Sequence, residues 1–322
     1  MRYVITGGAG FVGSHLCEAL IARGDEVVCV DNLSTGLYAN IQHLEEVDRF
    51  NYVEGDVSVL LDIPGPVTAI AHLASPASPP EYLRMPLQTL AVGSRGSENV
   101  LDLARRKECR AILASTSEIY GDPQIHPQPE TYWGNVNPIG PRSVYDESKR
   151  FAEAVFTAYR RSLGVDTGIV RIFNTYGPRL RPQDGRVVSN FIAQALQREP
   201  LTVYGTGNQT RSFCYVDDLV QGLVRMLDSD EAGPINLGNT AEVTVGELAE
   251  LVLELTGSDS SVVYEPLPQD DPTCRRPDLA AARAQLGWSP AVSLRAGLES
   301  TIRWQRSLLP ELVTSQPAFL SA

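Results

Sequence analysis

The hydrophobic pattern of the first half of the chain alternates between short apolar runs and helical periodicity. The apolar runs lack strict alternation of apolar and polar residues, which is typical of parallel strands covered on both faces. Strands are predicted at 2–6, 26–30, 51–53, 68–74, 110–116 and 166–173, and helices at 12–23, 86–106 and 143–163. This order predicts an α/β fold with a doubly wound, Rossmann-type parallel sheet.

The pattern changes after residue 177, where Pro178, Pro182 and Gly185 interrupt it. Helices are then predicted at 187–198, 217–228, 244–256, 278–286 and 294–307, with short strands at 201–204, 213–215 and 234–237. We therefore expect a Rossmann domain at 1–177, a smaller mixed α/β domain at 178–310 and a C-terminal tail at 311–322. A ligand cleft is expected between the two domains.

Composition and charge argue against several classes of protein. The net charge of −12 argues against a nucleic-acid partner, because phosphate backbones are bound by a basic face. No apolar run reaches the ~18 residues of a membrane span, and the chain begins directly with a strand-like run, so we expect a cytoplasmic protein without a membrane partner. The five cysteines and four histidines are scattered without metal-ligand spacing, which predicts reduced thiols and no metal.

A glycine-rich turn connects the first strand to the first helix. In "VITGGAGFVGSH", Gly7, Gly10 and Gly13 permit a tight turn and a close approach of the backbone to a pyrophosphate at the helix N-terminus. Asp31 ends the second strand, where its carboxylate can bind an adenosine ribose and would repel a 2′-phosphate. Asp56 is a candidate adenine contact. A turn without a ligand is the alternative, but the strand, the helix and the acid together predict NAD rather than NADP.

A second candidate site lies in "SVYDESKR" at 143–150, where Tyr145 and Lys149 are one helical turn apart. The pair is either a surface aromatic beside a solvated lysine or a general base beside its activating ammonium. A free tyrosine has a pKa near ~10, too high for a base at neutral pH, and a nearby ammonium lowers that pKa. The spacing alone does not decide between the two interpretations.

Longer strings resemble one family. "TGGAGFVGSH", "DNLSTG", "STSEIYG" and "YDESK" resemble the extended short-chain dehydrogenase/reductases that modify nucleotide sugars. "HLASPASPPEY", "YWGNVNPIGPR", "RIFNTYGPR", "DGRVVSNFI", "LTVYGTGNQTRSF" and "DDPTCRRPD" are similar to the members that decarboxylate UDP-glucuronate. The resemblance extends from about residue 1 to about residue 305. It implies a Rossmann fold, bound NAD, a UDP-sugar substrate and a homodimer that pairs through the helices at 86–106 and 143–163.

The resemblance also implies site residues. The catalytic residues are Thr116, Ser117, Glu118, Tyr145, Lys149 and Arg275. The cofactor-binding residues are Gly7, Gly10, Phe11, Val12, Gly13, Asp31, Asn32, Ser34, Thr35, Gly36, Asp56, Val57, Leu73, Ala74, Tyr145 and Lys149. The substrate-binding residues are Tyr82, Asn174, Arg179, Arg186, Val188, Thr202, Tyr204, Gln209, Arg211 and Arg275. Arg276 is a further candidate, since the planar fork of arginine suits phosphate and carboxylate.

Individual roles follow from the same resemblance. Tyr145 is the general base, Lys149 also holds the nicotinamide ribose, and Arg275 binds the glucuronate carboxylate. Glu118 is expected to position the sugar or a water rather than to act as the essential acid. The related dehydratases usually carry an aspartate at the position of Ser117, so its absence argues against dehydration.

The implied reaction oxidises C4 of UDP-glucuronate, releases CO2 from the 4-keto sugar and reduces C4 again to give UDP-xylose. One alternative is a 4-epimerase acting on UDP-glucuronate or UDP-glucose, and another is an enzyme that releases the 4-keto pentose before reduction. A non-catalytic nucleotide-sensing protein is the alternative from another class, and it would be expected to lack Thr116, Tyr145 or Lys149.

Two positions depart from the family. Glycine usually stands at the position of Ser148, although serine is common there in the related epimerases, and asparagine often stands at the position of Gly93. A glycine in a helix interior costs about 1 kcal/mol relative to alanine, and Gly93 falls inside a predicted helix. Neither departure removes a residue that the chemistry needs.

Overall fold

A seven-stranded parallel sheet forms the centre of the fold. The computed structural model describes residues 1–59, 61–182, 184–267 and 274–314. Its strands are β1 (Arg2–Thr6), β2 (Glu26–Asp31), β3 (Phe50–Glu54), β4 (Ala69–His72), β5 (Arg110–Thr116), β6 (Thr167–Ile172), β7 (Thr175–Tyr176), β8 (Leu201–Tyr204), β9 (Thr210–Ser212), β10 (Cys214–Tyr215), β11 (Ile235–Leu237), β12 (Glu242–Thr244), β13 (Val262–Glu265) and β14 (Cys274–Arg275). Its helices are α1 (Phe11–Arg23), α2 (Pro79–Arg84), α3 (Pro86–Ala91), α4 (Ser97–Lys107), α5 (Ser143–Leu163), α6 (Val187–Gln197), α7 (Val216–Leu227), α8 (Val245–Thr256), α9 (Ala280–Leu286) and α10 (Leu294–Thr314).

The main sheet has the strand order β11-β6-β5-β4-β1-β2-β3, and every neighbouring pair is parallel. Buried side chains from the strands of this sheet and from the helices around it form two hydrophobic clusters. Every residue of β5 is buried, which explains why its sequence does not alternate between apolar and polar residues. The predicted doubly wound, Rossmann-type α/β fold is confirmed. The strand order reverses between β1 and β4, and ligands bind at such switch points in sheets of this kind.

The predicted helix at 86–106 is divided in the structure. It consists of α3, a π-helical turn at Val92–Gly96 and α4. The helix predicted at 143–163 is, by contrast, a single element with those bounds, α5. An extra residue in one helical turn changes the hydrophobic phase only slightly, so the periodicity of the sequence does not reveal the π turn.

The main sheet includes one strand from the second half of the chain. β11 pairs with β6, with Ile235 opposite Val170, and α7 packs against β5 and β6. The sheet therefore extends beyond the domain boundary expected at residue 177. The sequence predicts a strand near 234–237, but it contains no local signal for the long-range partner of that strand.

The remaining strands form small sheets with the orders β12-β9-β14, β13-β8 and β10-β7. Most of them are too short for the sequence to predict, as is α2. Residues 270–273 of the string "DDPTCRRPD" and residues 315–322 of the expected tail lie outside the described residues. Within the described part of the chain, no helix combines the length and apolar character needed to cross a membrane.

Candidate active site

The glycine-rich turn lies at the switch point of the sheet and lines a cleft of about 430 Å³. Gly7 has a φ of 73°, a conformation that glycine adopts without strain. A Cβ on Gly13 would lie 2.1 Å from the carbonyl oxygen of Gly7, so only glycine allows α1 to begin this close to the turn. The first turn of α1 then offers N–H groups to a pyrophosphate.

Asp31 is buried at the end of β2, beside this turn. Its two carboxylate oxygens accept the backbone N–H groups of Ala9 at 3.0 Å and Leu33 at 2.9 Å. Burial raises the pKa of Asp31, and the two hydrogen bonds act in the opposite direction. Each oxygen retains a lone pair for a ribose hydroxyl. The donor and acceptor set of this cleft therefore fits the adenosine diphosphate half of a dinucleotide.

Most of the predicted cofactor residues are brought together along this cleft. The predicted residues that line it are Gly7, Gly10, Phe11, Val12, Gly13, Asp31, Asn32, Ser34, Thr35, Gly36, Asp56, Val57, Leu73 and Ala74. Tyr145 and Lys149 line a neighbouring cleft instead. Phe11, Val12 and Leu73 line both, so the two clefts are contiguous.

The second cleft, of about 830 Å³, is lined both by the main sheet and by the C-terminal elements. It contains the predicted catalytic residues and nearly all the predicted substrate residues. These are Thr116, Ser117, Glu118, Tyr145, Lys149, Tyr82, Asn174, Arg186, Val188, Thr202, Tyr204, Gln209, Arg211 and Arg275.

Two candidate arginines lie elsewhere. Arg179, which the sequence predicts to contact the substrate, lines the cofactor cleft and pairs with Glu18 of α1 at 2.8 Å. Arg276 pairs with Glu242 of β12 at 2.7 Å and, among the described residues, lines neither cleft. Each is held by a carboxylate that the sequence does not place next to it.

Tyr145 and Lys149 lie on α5 next to the carboxyl end of β5. Lys149 Nζ lies 5.9 Å from the centroid of the Tyr145 ring and donates a hydrogen bond to the carbonyl oxygen of Ala114 at 2.9 Å. Thr116 ends β5 and lines the same cleft. Tyr145 is 6% exposed and Lys149 is 5% exposed, which excludes a solvated surface pair.

Burial controls the protonation of this pair. It raises the pKa of Tyr145 to about 12, against the opposing effects of Arg186 and Thr116, and it lowers the pKa of Lys149 to about 8. The sequence predicts that Lys149 lowers the pKa of Tyr145, but in the protein alone the net shift is upward, because desolvation of the buried phenol outweighs the groups that lower its pKa. A further positive charge is needed to bring the phenolate within reach of neutral pH.

Tyr82 of α2 stacks on Tyr145, with ring centroids 5.2 Å apart and 5° between the ring planes. Its side chain is buried, and its hydroxyl has no hydrogen-bond partner among the described residues. Buried hydroxyls are normally paired, so this one suits a ligand in the cleft that Tyr82 lines.

Two arginines hold the carboxylate of Glu118. One oxygen accepts a hydrogen bond from Arg275 Nη1 at 2.5 Å, and the other accepts one from Arg142. Burial opposes ionisation, but the attraction of Arg275 and Arg142 lowers the pKa of Glu118 to about 2. Glu118 is therefore a carboxylate at neutral pH and has no proton to donate there.

Arg142 and Asp146 received no role from the sequence. Arg142 lines the substrate cleft and immediately precedes α5. Asp146 is buried on the first turn of α5, and one of its carboxylate oxygens lacks a partner within the described ranges. Burial, together with the nearby charge of Glu118, raises the pKa of Asp146 to about 7. Both residues are within three positions of Tyr145, and this proximity was the signal that could have identified them.

The cleft concentrates positive charge although the chain is acidic. Arg211 of β9 and Arg275 of β14 are register partners, and both line the cleft. Arg186 precedes α6, lines both clefts and donates a hydrogen bond to the carbonyl oxygen of Ala77 at 2.9 Å. Guanidinium groups suit a diphosphate and a carboxylate, so this cleft is built for an anionic ligand.

A dinucleotide cleft contiguous with a buried tyrosine–lysine pair defines an enzyme that moves a hydride and a proton. Residues 3–238 match the model of the NAD dependent epimerase/dehydratase family. The chain belongs to this family, and NAD is its cofactor.

Comparison with individual relatives gives more detail than the family model. Over 300 residues the chain is 53% identical to UDP-glucuronic acid decarboxylase 1 of Arabidopsis thaliana, an alignment that covers 92% of this chain and 68% of that protein. A dTDP-glucose 4,6-dehydratase from Streptomyces venezuelae, solved with NAD and TYD bound, is 30% identical with a TM-score of 0.86 and covers 95% of this chain and 97% of its own. A UDP-glucuronic acid 4-epimerase from Bacillus cereus, solved with NAD, is 27% identical with a TM-score of 0.84. The match covers 96% of this chain and 99% of the epimerase chain.

Proposed function

We propose that this protein decarboxylates UDP-glucuronate to UDP-xylose, with NAD bound throughout. The observation that carries the proposal is the position of Arg275, which lies with Tyr145 in one cleft and beside the NAD cleft. A guanidinium there suits the sugar carboxylate, and the tyrosine suits a sugar hydroxyl. The 53% identity to a decarboxylase over most of the chain supports the same reaction.

Tyr145 acts as the general base on the C4 hydroxyl, with Thr116 as a second hydrogen-bonding partner of that hydroxyl. Lys149 holds the nicotinamide ribose and keeps a positive charge near the phenol. NAD bound in the cofactor cleft supplies the acceptor and donor of the C4 hydride, and a positive ring that favours the phenolate. Without that ring, burial keeps Tyr145 protonated at neutral pH, with its pKa at about 12.

The sugar then loses its carboxyl group for a chemical reason. Once C4 is a ketone, the C6 carboxylate is β to it, so the C5–C6 bond breaks and its electron pair enters the carbonyl as an enolate. CO2 leaves and a proton from solvent is added to C5, and bound NAD would supply the hydride that reduces C4 again. Tyr145 gives its proton back to the C4 oxygen. One proton is consumed overall, and the cofactor ends in its starting state.

The protein's charged groups hold the substrate for these steps. Arg275 binds the C6 carboxylate, with Glu118 and Arg142 keeping its guanidinium in place. Arg211, Arg186 and the segment 187–204 bind the uridine diphosphate. We assign cofactor binding mainly to residues 1–177, whose sheet is completed by β11 and covered by α7, and substrate binding mainly to the rest of 178–310.

The proposal extends to assembly and location. We propose a homodimer that pairs through the helices predicted at 86–106 and 143–163. The exposed apolar side chains of Leu90 and Phe151, at 39% and 46% exposure, support an interface that includes these helices. A cytoplasmic location is consistent with five free cysteines.

The test is to incubate the purified protein with UDP-glucuronate, with and without added NAD+, and to measure the mass of the nucleotide products. The expected product is UDP-xylose, whose mass is lower than that of UDP-glucuronate by the mass of one CO2. A product of unchanged mass with inverted C4 would replace the proposal with a 4-epimerase, and accumulation of NADH with a 4-keto pentose would show release before reduction.

The variant Tyr145→Phe tests the assigned base. Turnover should fall by ~10³-fold, because a positioned acid–base group contributes about 10²–10⁴-fold, while NAD content and UDP affinity stay unchanged. Tyr264→Phe is the matched control, since Tyr264 is 64% exposed on β13. Near-normal turnover of Tyr145→Phe would remove Tyr145 from the mechanism.

A further inference from the structure

The π-helical turn at 92–96 lies between the cofactor cleft and α5, the helix that carries Tyr145 and Lys149, and meets them through two glycines. π turns are rare and appear most often as single-turn bulges at functional sites. On one side, a Cβ on Gly96 would lie 3.0 Å from Cγ2 of Val57, which lines the cofactor cleft. Val92 and Arg95 of the same turn also line that cleft.

On its other side, the turn lies against α5 at Gly93. A Cβ on Gly93 would lie 2.6 Å from the Cβ of Ser148, 2.7 Å from its carbonyl oxygen and 3.0 Å from its carbonyl carbon. Two of these three atoms are backbone atoms of α5, so no change of side-chain rotamer could relieve the contact.

Ser148 lies on the turn of α5 that carries the tyrosine–lysine pair. It follows Tyr145 by three residues and directly precedes Lys149. It is 3% exposed, and its hydroxyl donates a hydrogen bond to the carbonyl oxygen of Tyr145 at 2.8 Å. A displacement of α5 at Ser148 would therefore move the side chains on both sides of it.

We infer that Gly93 is a positioning residue for the reaction, and that Gly93 and Ser148 form a matched steric pair. The missing side chain at Gly93 lets the π turn lie directly on α5. This contact sets the distance between the cofactor cleft, which the turn lines, and Tyr145 and Lys149. The inference on rate rests on the proposed function, whereas the inference on packing does not.

The pair predicts a specific pattern of coupling. Gly93→Ala must push α5 away by a fraction of an ångström, and misplacement of reacting groups on the scale of 1 Å costs ~10²-fold in rate. We therefore expect kcat to fall by ~10–100-fold. Ser148→Gly removes the nearest of the three contacting atoms but leaves the two carbonyl atoms, so it should restore the Gly93→Ala variant only in part.

The experiment is a double-variant cycle on the NAD-loaded protein. It compares the single variants Gly93→Ala, Ser148→Gly and Ser148→Ala with the two double variants that combine Gly93→Ala with either change of Ser148. For each protein, the thermal unfolding midpoint, kcat for UDP-glucuronate and the affinity for UDP are measured. Ser148→Ala keeps the Cβ and removes the hydroxyl, so it separates the steric contact from the hydrogen bond. Gly246→Ala in α8 is the control, because the nearest atom to its Cβ lies at an ordinary 3.6 Å.

We expect the double with Ser148→Gly to recover kcat by ~10-fold over Gly93→Ala, while the double with Ser148→Ala recovers nothing. UDP affinity should stay unchanged in all variants, which separates positioning from general damage. If Gly93→Ala does not fold, the two double variants still test the steric pair. The double with Ser148→Gly should then fold, whereas the double with Ser148→Ala should not.

Additive midpoints and additive rates in the cycle would overturn the matched pair. Normal kcat in Gly93→Ala, together with a lowered midpoint, would overturn the positioning role alone. If the wild-type protein released no CO2 from UDP-glucuronate, the proposed function would fail, but coupled thermal midpoints would still support the packing.

Discussion

The cofactor cleft and the substrate cleft of this protein differ in the groups that give them their shape. The cofactor cleft is shaped mainly by backbone and small residues that follow β1, β2 and β4. Large charged side chains shape the substrate cleft, and they come from α5 and the residue before it, from the segment that follows β5, and from β9 and β14. One site depends on close approach of the main chain, and the other depends on the balance of buried charges.

Substitutions should affect the two clefts in different ways. A cleft lined by closely packed backbone tolerates no added atom where the packing is tight, as at Gly13. A cluster of buried charges tolerates small movements, but removal of one member weakens the pairing of another, since Glu118 would keep only Arg142 without Arg275. Variants in the two clefts should therefore fail in different measurements.

The largest effect is expected in the cofactor cleft. Gly13→Ala places a Cβ 2.1 Å from the carbonyl oxygen of Gly7, so the turn must open. We expect NAD affinity to fall by ~100-fold, since overpacking costs typically about 1–3 kcal/mol and a contact of 2.1 Å is at the severe end of that range. The measurement is NAD content of the purified protein and titration with NAD+, with Gly246→Ala as control. Unchanged NAD content would show that the tightness of the turn is not what selects glycine.

A smaller and more selective effect is expected from Arg275→Ala. Loss of a charge-assisted hydrogen bond costs about 1.5–3 kcal/mol, so affinity for UDP-glucuronate should fall by ~10–100-fold. Affinity for UDP-xylose should change little, because the product has no carboxylate. Calorimetric titration with both ligands measures the difference.

Arg276→Ala is the matched control for that experiment. Arg276 is adjacent in sequence but pairs with Glu242 at 2.7 Å and lines neither cleft within the described chain. It should bind both ligands normally. Equal losses for both ligands in Arg275→Ala would mean that Arg275 recognises the diphosphate or the fold rather than the carboxylate.

The smallest effect is a contribution of Glu118 to stability at acid pH. Its pKa is about 2 in the folded protein, below the ordinary 4.5, so the unfolded chain takes up this proton first. The contribution is complete above about 4.5 and is lost as pH falls toward 2. Its slope is at most about 1.4 kcal/mol per pH unit.

Denaturant unfolding between neutral pH and pH 3 measures this contribution. The difference in free energy of unfolding between wild type and Glu118→Gln should shrink as pH falls. Glu254→Gln is the control, because the pair of Glu254 with Arg295 lies at the surface. A difference independent of pH would mean that the carboxylate of Glu118 is not stabilised by its arginines.

Local signals in the sequence were sufficient for the first six strands of the main sheet and for most residues of the cofactor cleft, but not for the pairing of the seventh strand, β11. Gly7, Gly13 and Asp31 lie close together along the chain, and the parallel strands bring their ends to one edge. The bounds of α5 were predicted for the same reason, since a continuous periodic helix needs no distant partner to be recognised. The break of the helix at 86–106 was not predicted, because a π turn barely alters hydrophobic periodicity.

The sequence by itself determined the Rossmann sheet, the NAD turn and the spacing of Tyr145 and Lys149, because each depends on residues that are near neighbours in the chain. Only the tertiary structure decided that both side chains are buried, that Arg211 and Arg275 lie side by side, and that Arg142 and Arg275 share Glu118. It also decided that Gly93 and Ser148, the two departures from the family, lie against each other. Burial and charge pairing join residues that are distant in sequence, so their consequences for pKa and position appear only after the chain has folded.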